Sequence, residues 1–134
     1  MKQKILKILI IASILFIWGH SAVPAEKSAK ESGLILRILS YIFGGERLTD
    51  HIVRKLAHFT EYAVLGFFLS CYKEKLCSVL SAGLFVSFID ETIQLFAAGR
   101  SGEVVDMWID LSGIVLAACI TEGIRKWKSK ENGL

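Results

Sequence analysis

Four stretches of the chain are apolar and close to the length needed to cross a lipid bilayer, and three of them contain acidic side chains. A helix needs about 20 apolar residues to span the hydrocarbon core, and a lone strand there would leave its backbone hydrogen-bonding groups unsatisfied. The sequence therefore predicts an all-α fold, an integral membrane four-helix bundle. The predicted spans are roughly Ile5–Val23, Leu56–Tyr72, Leu76–Gly99 and Val104–Ile124.

The overall composition also indicates a membrane protein. The chain has 134 residues, of which 53% are hydrophobic, and a mean hydropathy of +0.51. These values are too apolar for an ordinary soluble domain of this size and fit one compact membrane domain. The net charge of +3 is carried mainly at the ends of apolar segments, which suits contact with anionic lipid headgroups rather than nucleic acid.

The long connection between the first two spans contains a second type of apolar segment. Glu26–Glu31 is charged, whereas Gly33–Phe43 is apolar but too short to span a bilayer. We predict that Gly33–Phe43 is an interfacial amphipathic helix ended by Gly44-Gly45. The first span has an alternative interpretation as a cleaved signal peptide, because Met1–Lys7 is basic and small residues follow near Ala25.

The distribution of Lys and Arg predicts the orientation in the membrane. With both termini in the cytoplasm, nine of these residues lie inside and seven lie outside. The outer seven are diluted over a long loop that also carries acids, whereas the cluster after span four is tight. We predict a multi-pass membrane protein with cytoplasmic N- and C-termini.

In that topology the polar residues of three spans fall in the outer half of the bundle. One helix face carries Arg54, Lys55, His58, Glu61 and Tyr62. Asp90 and Gln94 lie one turn apart on another helix, with Glu91 and Ser87 beside them. Span four carries a narrow stripe of acids and small residues that lets another helix approach closely. The three polar faces therefore predict a shared cleft. The members of the stripe are Asp106, Asp110, Gly113, Ala117 and Thr121.

Several short motifs appear in order with this spacing. They are Arg54-Lys55-Leu56-Ala57-His58-Phe59-Thr60-Glu61-Tyr62, Asp90-Glu91-Thr92-Ile93-Gln94, Gly99-Arg100-Ser101-Gly102, and Asp106 with Asp110 and Gly113. Together they resemble the VanZ family, small bacterial membrane proteins named after a factor associated with resistance to the glycopeptide antibiotic teicoplanin. The resemblance implies a role in the cell envelope or in antibiotic resistance, without implying a mechanism.

Each polar residue also has a structural interpretation. For His58 and Glu61 this interpretation is a hydrogen bond or ion pair within the bundle that offsets the cost of their own burial. Asp90 and Glu91 would repel each other if both were ionised and faced one cavity, so we expect either a protonated acid or a nearby cation. Arg100 is predicted to pair with these acids or with a lipid phosphate, or to anchor the interface. A capping role explains Asp106 without a ligand.

The predicted site follows from these residues. Its ligand-binding members are Arg54, Lys55, His58, Glu61, Tyr62, Asp90, Glu91, Gln94, Arg100, Asp106 and Asp110. The candidates for catalysis are His58, Glu61, Asp90 and Glu91. No cofactor is evident; one His with several carboxylates is compatible with a hard divalent cation such as Mg²⁺ or Ca²⁺, but not with a typical zinc site.

Three function classes remain open at this point. The leading hypothesis is a resistance or envelope factor that binds a lipid-linked precursor or a glycopeptide at the outer leaflet. The alternative is a membrane-embedded hydrolase or transferase that uses His58 and the acids, with or without a divalent metal. A small proton-coupled carrier is the weaker alternative, because four helices without an inverted repeat make alternating access difficult.

Overall fold

The computed structural model describes residues 2–28, 33, 49–73, 75–100, 102–131 and 133. The described part holds four long helices and no strand, so the all-α prediction is confirmed. The helices are α1 (Lys2–Ser21), α2 (Asp50–Tyr72), α3 (Leu76–Phe96) and α4 (Val104–Glu131), and each predicted span overlaps one of them. The predicted interfacial helix Gly33–Phe43 lies outside the described residues apart from Gly33.

Two helices extend beyond the apolar stretches that predicted them. α2 begins at Asp50 because Thr49 caps it: the Thr49 Oγ1 accepts a hydrogen bond from the Ile52 N–H at 3.4 Å. An N-cap of this kind satisfies one of the free backbone donors of the first turn. α4 continues to Glu131 through a basic final segment, since Lys, Arg and Glu are strong helix formers. Apolarity alone therefore underestimates both helices.

The end of α3 is set by a turn, and the predicted end at Gly99 was wrong. The helix ends at Phe96, and the Arg100 N–H donates to the Ala97 carbonyl at 3.1 Å to close the turn. Gly99 has a φ of 73°, a conformation that glycine adopts without the steric cost borne by other residues. The turn places Arg100 beside the end of α1, where its side chain contacts the His20 carbonyl.

Neighbouring helices run in opposite directions. At one end, Lys7 of α1 lies over the Tyr72 ring of α2, and Arg125 of α4 donates to the Ser70 carbonyl of α2. At the other end, the Ala25 N–H after α1 donates to the Ala98 carbonyl after α3 at 3.0 Å. We call the end where α1 and α3 finish and α2 and α4 begin the site end, and the other the opposite end.

The most extensive helix contact is that between α2 and α4, and glycine makes it possible. A Cβ atom on Gly113 would lie 2.5 Å from the Phe59 carbonyl oxygen, and one on Gly66 would lie 2.7 Å from the Ile114 Cα. Real Cβ atoms do not approach backbone atoms so closely. The small-residue face of α4 is therefore buried against α2, as predicted, with Gly113, Ala117 and Thr121 all buried.

Several polar side chains are buried inside the helix group together with an apolar core, and many large apolar side chains lie on its outside. Asp90 and Asp110 are completely buried, while Phe16, Phe85 and Phe88 are each more than half exposed. In the part of the chain that the structure describes, α1, α3 and α4 are long and apolar enough to cross a membrane. The polar residues of α2 lower its hydropathy, so crossing by α2 stays a prediction.

We expect Gly113→Leu to destabilise the protein. The new side chain would separate α2 from α4, and overpacking costs about 1–3 kcal/mol or more. Gly123→Leu on the same helix is the matched control, because nothing lies within 4 Å of a Cβ there. Thermal unfolding in detergent and abundance in the membrane would measure the effect. Equal stability of the two variants would contradict the close α2–α4 contact.

Candidate functional site

Three helices bring an imidazole and two carboxylates together at the site end. The His58 Nδ1 of α2 lies 3.6 Å from the Asp90 Oδ2 of α3 and 3.5 Å from the Asp110 Oδ1 of α4. The Asp90 and Asp110 side chains are 0% exposed, and the His58 side chain is 12% exposed. We call these three residues the acid–histidine cluster. One donor atom from each lies within 4.8 Å of the others, so one metal ion is able to contact all three.

The donor atoms of the cluster are not used up by hydrogen bonds. The His58 Nδ1, both Asp90 carboxylate oxygens and the Asp110 Oδ1 are buried without a hydrogen-bond partner among the described residues. The second Asp110 oxygen accepts from the Ser87 hydroxyl at 2.7 Å. Buried polar atoms normally have partners, so four unpartnered atoms in one group need an explanation; the Ser21 and Gln94 side chains lie near Asp90 without closing a hydrogen bond to it.

Three residues beside the cluster extend it along α1 and α2. The His58 ring lies parallel to the Tyr62 ring with centroids 6.5 Å apart, and also faces the His20 ring at 6.3 Å. The His20 Nδ1 lies 2.9 Å from the Glu61 Oε1, so this pair links α1 to α2. Glu61 therefore contacts α1 rather than the other acids.

Sequence reasoning missed His20. The residue lies in the last turn of α1. For this segment we considered only a membrane span or a signal peptide, and not a site residue. The signal that could have found it is the one used for the other spans: an ionisable side chain at membrane depth is a functional-site hypothesis.

Asp90 and Glu91 point in different directions and have different partners. Successive helix residues point in directions about 100° apart. Asp90 faces His58, whereas the Glu91 Oε2 accepts from the Glu103 N–H at 2.8 Å and its Oε1 accepts from the Gln94 Nε2 at 3.2 Å. Glu91 thus fastens the α3–α4 turn to the end of α3.

A cavity of about 160 Å³ lies at the site end and contains three basic side chains. We call it the basic cavity. Its lining residues are His51, Arg54, Lys55, His58, Gln94, Gly99, Arg100, Glu103 and Asp106. His58 belongs both to this cavity and to the acid–histidine cluster, so the cavity and the cluster are adjacent.

The basic side chains of the cavity differ in how they are paired. The Lys55 Nζ donates to the Asp106 Oδ1 at 2.7 Å. The Nε atoms of Arg54 and Arg100 are buried without a hydrogen-bond partner in the described part of the chain. Lys55 thus has a direct charged partner, whereas each of the two arginines keeps an Nε donor without a partner in the described residues.

Arg100 does not form the predicted ion pair with an acid among the residues that the structure describes. Instead its Nη2 donates to the His20 carbonyl at 3.3 Å. Burial and the nearby charge of Arg54 lower the pKa of the Arg100 guanidinium, while Asp90, Glu61 and Glu91 act in the opposite direction. An arginine starts from so high a pKa that it stays charged, so the cavity keeps its positive potential.

A comparison with family models identifies the chain. A model described as VanZ/LLP1 matches residues 6–125. The chain belongs to the VanZ/LLP1 family. No curated protein and no solved structure matches it significantly. Family membership and the three apolar helices together make it a membrane protein.

The segments that resemble the VanZ family meet at the site end. The run from Arg54 to Tyr62 supplies one arginine of the basic cavity and the imidazole of the cluster, and the segment around Asp90 supplies a buried acid and the turn contact. Arg100 closes the cavity, and Asp110 completes the cluster. A ligand-binding role for these residues stays a prediction.

We expect Glu91→Ala to loosen the α3–α4 turn. The substitution removes a charged acceptor from the Glu103 N–H, a bond worth about 1.5–3 kcal/mol. Hydrogen exchange of peptides that cover residues 97–103 should then be roughly tenfold faster or more. Thr92→Ala is the matched control, because the neighbouring Thr92 hydroxyl bonds only within its own helix, to the Phe88 carbonyl. Unchanged exchange in Glu91→Ala would disprove the fastening role.

Proposed function

We propose that this VanZ/LLP1 protein is a bacterial cell-envelope factor that binds the anionic headgroup of a lipid-linked or amphiphilic ligand in the basic cavity. The observation that carries the proposal is the pair of unpartnered Nε donors of Arg54 and Arg100 at one cavity. A buried donor without an acceptor costs about 1–3 kcal/mol. A phosphate or carboxylate would satisfy both guanidinium groups, since the planar fork of arginine matches either group.

The surface around the cavity favours an amphiphile over a free anion. Phe96 at the end of α3 is 87% exposed, and Val104 and Trp108 at the start of α4 are also largely exposed. These apolar side chains adjoin Gln94, Glu103 and Asp106 of the cavity wall in sequence. A headgroup in the cavity would therefore leave its apolar tail beside an apolar surface.

The size of the cavity favours a lipid headgroup over a whole antibiotic. About 160 Å³ is room for a phosphate-sized group with some water, whereas a glycopeptide is many times larger. We therefore propose that any teicoplanin resistance arises from binding of an envelope lipid rather than from enclosing the drug. This step narrows the ligand to amphiphiles that carry phosphate or carboxylate.

A membrane-embedded hydrolase or transferase is the second candidate. The position of His58 favours it, because this imidazole borders the cavity and contacts two buried carboxylates. Carboxylates that orient a histidine beside a bound substrate are typical of general acid–base catalysis. Among the candidates for catalysis, Glu91 is the least suited, since it holds the turn. Release of free phosphate from a bound lipid phosphate would support this candidate.

We propose an orientation with both termini in the cytoplasm and the basic cavity at the outer leaflet. Lys7 of α1 and Arg125 of α4 both lie at the opposite end of the helices. The start of the first helix and the end of the last helix therefore face the same side of the membrane. That end continues into Lys126, Lys128 and Lys130 of α4. A tight basic cluster of this kind favours the cytoplasmic side.

We expect a cysteine at position 103 to react from outside and one at position 73 to react only after permeabilisation. Glu103→Cys stands at the site end and Lys73→Cys at the opposite end. Both changes are made after Cys71, Cys77 and Cys119 are replaced by serine, because these native cysteines are free. A membrane-impermeant maleimide applied to whole cells gives the readout. The reverse labelling pattern would place the cavity in the cytoplasmic leaflet and contradict the proposal.

We expect Arg100→Lys to weaken binding of an isoprenyl phosphate about tenfold or more, because an ammonium keeps the charge but loses the bidentate fork. Binding is measured with purified full-length protein in nanodiscs, in the presence of EDTA, with the matching isoprenyl alcohol as the neutral ligand. Arg125→Lys is the matched control, since Arg125 also donates to a backbone carbonyl but lies at the opposite end.

The same variants would connect binding to phenotype. In a bacterial host that expresses the protein, teicoplanin susceptibility should rise with Arg100→Lys and stay unchanged with Arg125→Lys at equal membrane abundance. Equal affinity of the wild type for the phosphate and the alcohol would disprove headgroup binding. Resistance that is retained by Arg100→Lys would separate the phenotype from the cavity.

A further inference from the structure

The acid–histidine cluster brings together nitrogen and oxygen atoms of the kinds that ligate metal ions. His58, Asp90 and Asp110 come from three different helices, and the two acids are completely buried. Four of their donor or acceptor atoms lack hydrogen-bond partners among the described residues. We propose that this cluster binds one divalent transition-metal cation. The inference goes beyond headgroup binding, which uses the two arginines.

The distances fit a shared ion better than direct hydrogen bonds. The His58 Nδ1 stands 3.6 Å from Asp90 and 3.5 Å from Asp110, whereas a charged N–H···O bond is about 2.7–2.9 Å long. Ligand atoms at about 2.1 Å from a tetrahedrally coordinated ion lie about 3.4 Å apart. The imidazole nitrogen therefore lies about as far from each carboxylate oxygen as neighbouring ligands of one ion lie from each other, and all three atoms lie within 4.8 Å of one another.

Charge balance supports the same conclusion. Two carboxylates and a neutral imidazole carry a charge of −2, which a divalent cation cancels. Such compensation matters because an unpaired charge at membrane depth is costly. The Ser87 hydroxyl donates to one Asp110 oxygen and leaves the other oxygen available, as the outer contacts of metal ligands commonly do.

The ligand set indicates which ion binds. Ca²⁺ takes six to eight oxygen ligands, and this cluster offers one nitrogen and two carboxylates. Imidazole suits first-row divalent ions and carboxylates suit Mn²⁺, so Mn²⁺ fits both ligand types of the cluster. Three protein ligands leave at least one coordination position open. Because His58 also borders the basic cavity, that position is available to water or to an oxygen of a bound anion.

The test uses Mn²⁺ as the probe with purified full-length protein in nanodiscs of neutral lipid. After removal of metals by chelation, electron paramagnetic resonance measures bound and free Mn²⁺ without any anionic ligand present. We expect one Mn²⁺ per chain and a ¹⁴N coupling from a directly bound imidazole. His58→Gln should remove this coupling, whereas the control His51→Gln, at an exposed position of the cavity wall, should retain it.

Asp→Asn variants test the carboxylates with a matched change. Asp90→Asn and Asp110→Asn should each weaken Mn²⁺ binding by more than about tenfold, because even outer-contact changes weaken metal sites about 10- to 100-fold. Asp106→Asn should bind as the wild type does, since Asp106 pairs with Lys55 outside the cluster. Ser87→Ala should weaken binding about tenfold without removing the nitrogen coupling.

Several results would overturn the proposal. Wild-type protein that binds no stoichiometric Mn²⁺, or binds it without ¹⁴N coupling, rejects the site even if the Asp variants fail to fold. Loss of binding in Asp106→Asn equal to that in Asp90→Asn also rejects it. Because Mn²⁺ binding is measured without lipid phosphate and headgroup binding is measured with EDTA, failure of one proposal is distinguishable from failure of the other.

Discussion

The complete burial of two carboxylates between helices is the constraint on which the rest of this structure depends. Asp90 and Asp110 lie at 0% exposure in a group of helices whose outer surface is apolar. Buried charges of this kind persist only where opposite charge or hydrogen bonds compensate for lost water. His58 has to reach both acids from α2, and α2 is close enough because Gly113 and Gly66 let the backbones of α2 and α4 approach. The close contact between α2 and α4 is therefore a condition for placing His58 beside both acids.

The helices could be predicted from the sequence, because length and apolarity are direct requirements of a bilayer. The starts of α3 and α4 at Leu76 and Val104 were predicted correctly. The start of α2 depends on the Thr49 cap and the end of α3 on the φ of Gly99. Those features are local backbone chemistry, to which a count of apolar residues is insensitive. The interfacial helix stays a prediction.

Helical spacing predicted which faces would turn inward but not which atoms would meet. Three polar faces do converge at the site end, yet adjacent Asp90 and Glu91 have separate partners. Arg100 bonds to a backbone carbonyl of α1 rather than to an acid, and His20 joins Glu61 from the same helix. Contacts with α1 were not predictable, because the sequence motifs lie on the other three helices and nothing in their spacing refers to α1.

The bond between Glu91 and the Glu103 N–H also has a consequence for how the protein enters the membrane during synthesis. A helix with Asp90 near its end inserts into lipid at a cost, because an acid at membrane depth is unfavourable on insertion scales. With Glu91 holding the turn, α3 and α4 are suited to enter as one hairpin in which Ser87 already donates to Asp110. Asp110 would then enter the lipid with one hydrogen bond already formed. His58 of the earlier helix would come to lie beside both acids when the hairpin packs against α2.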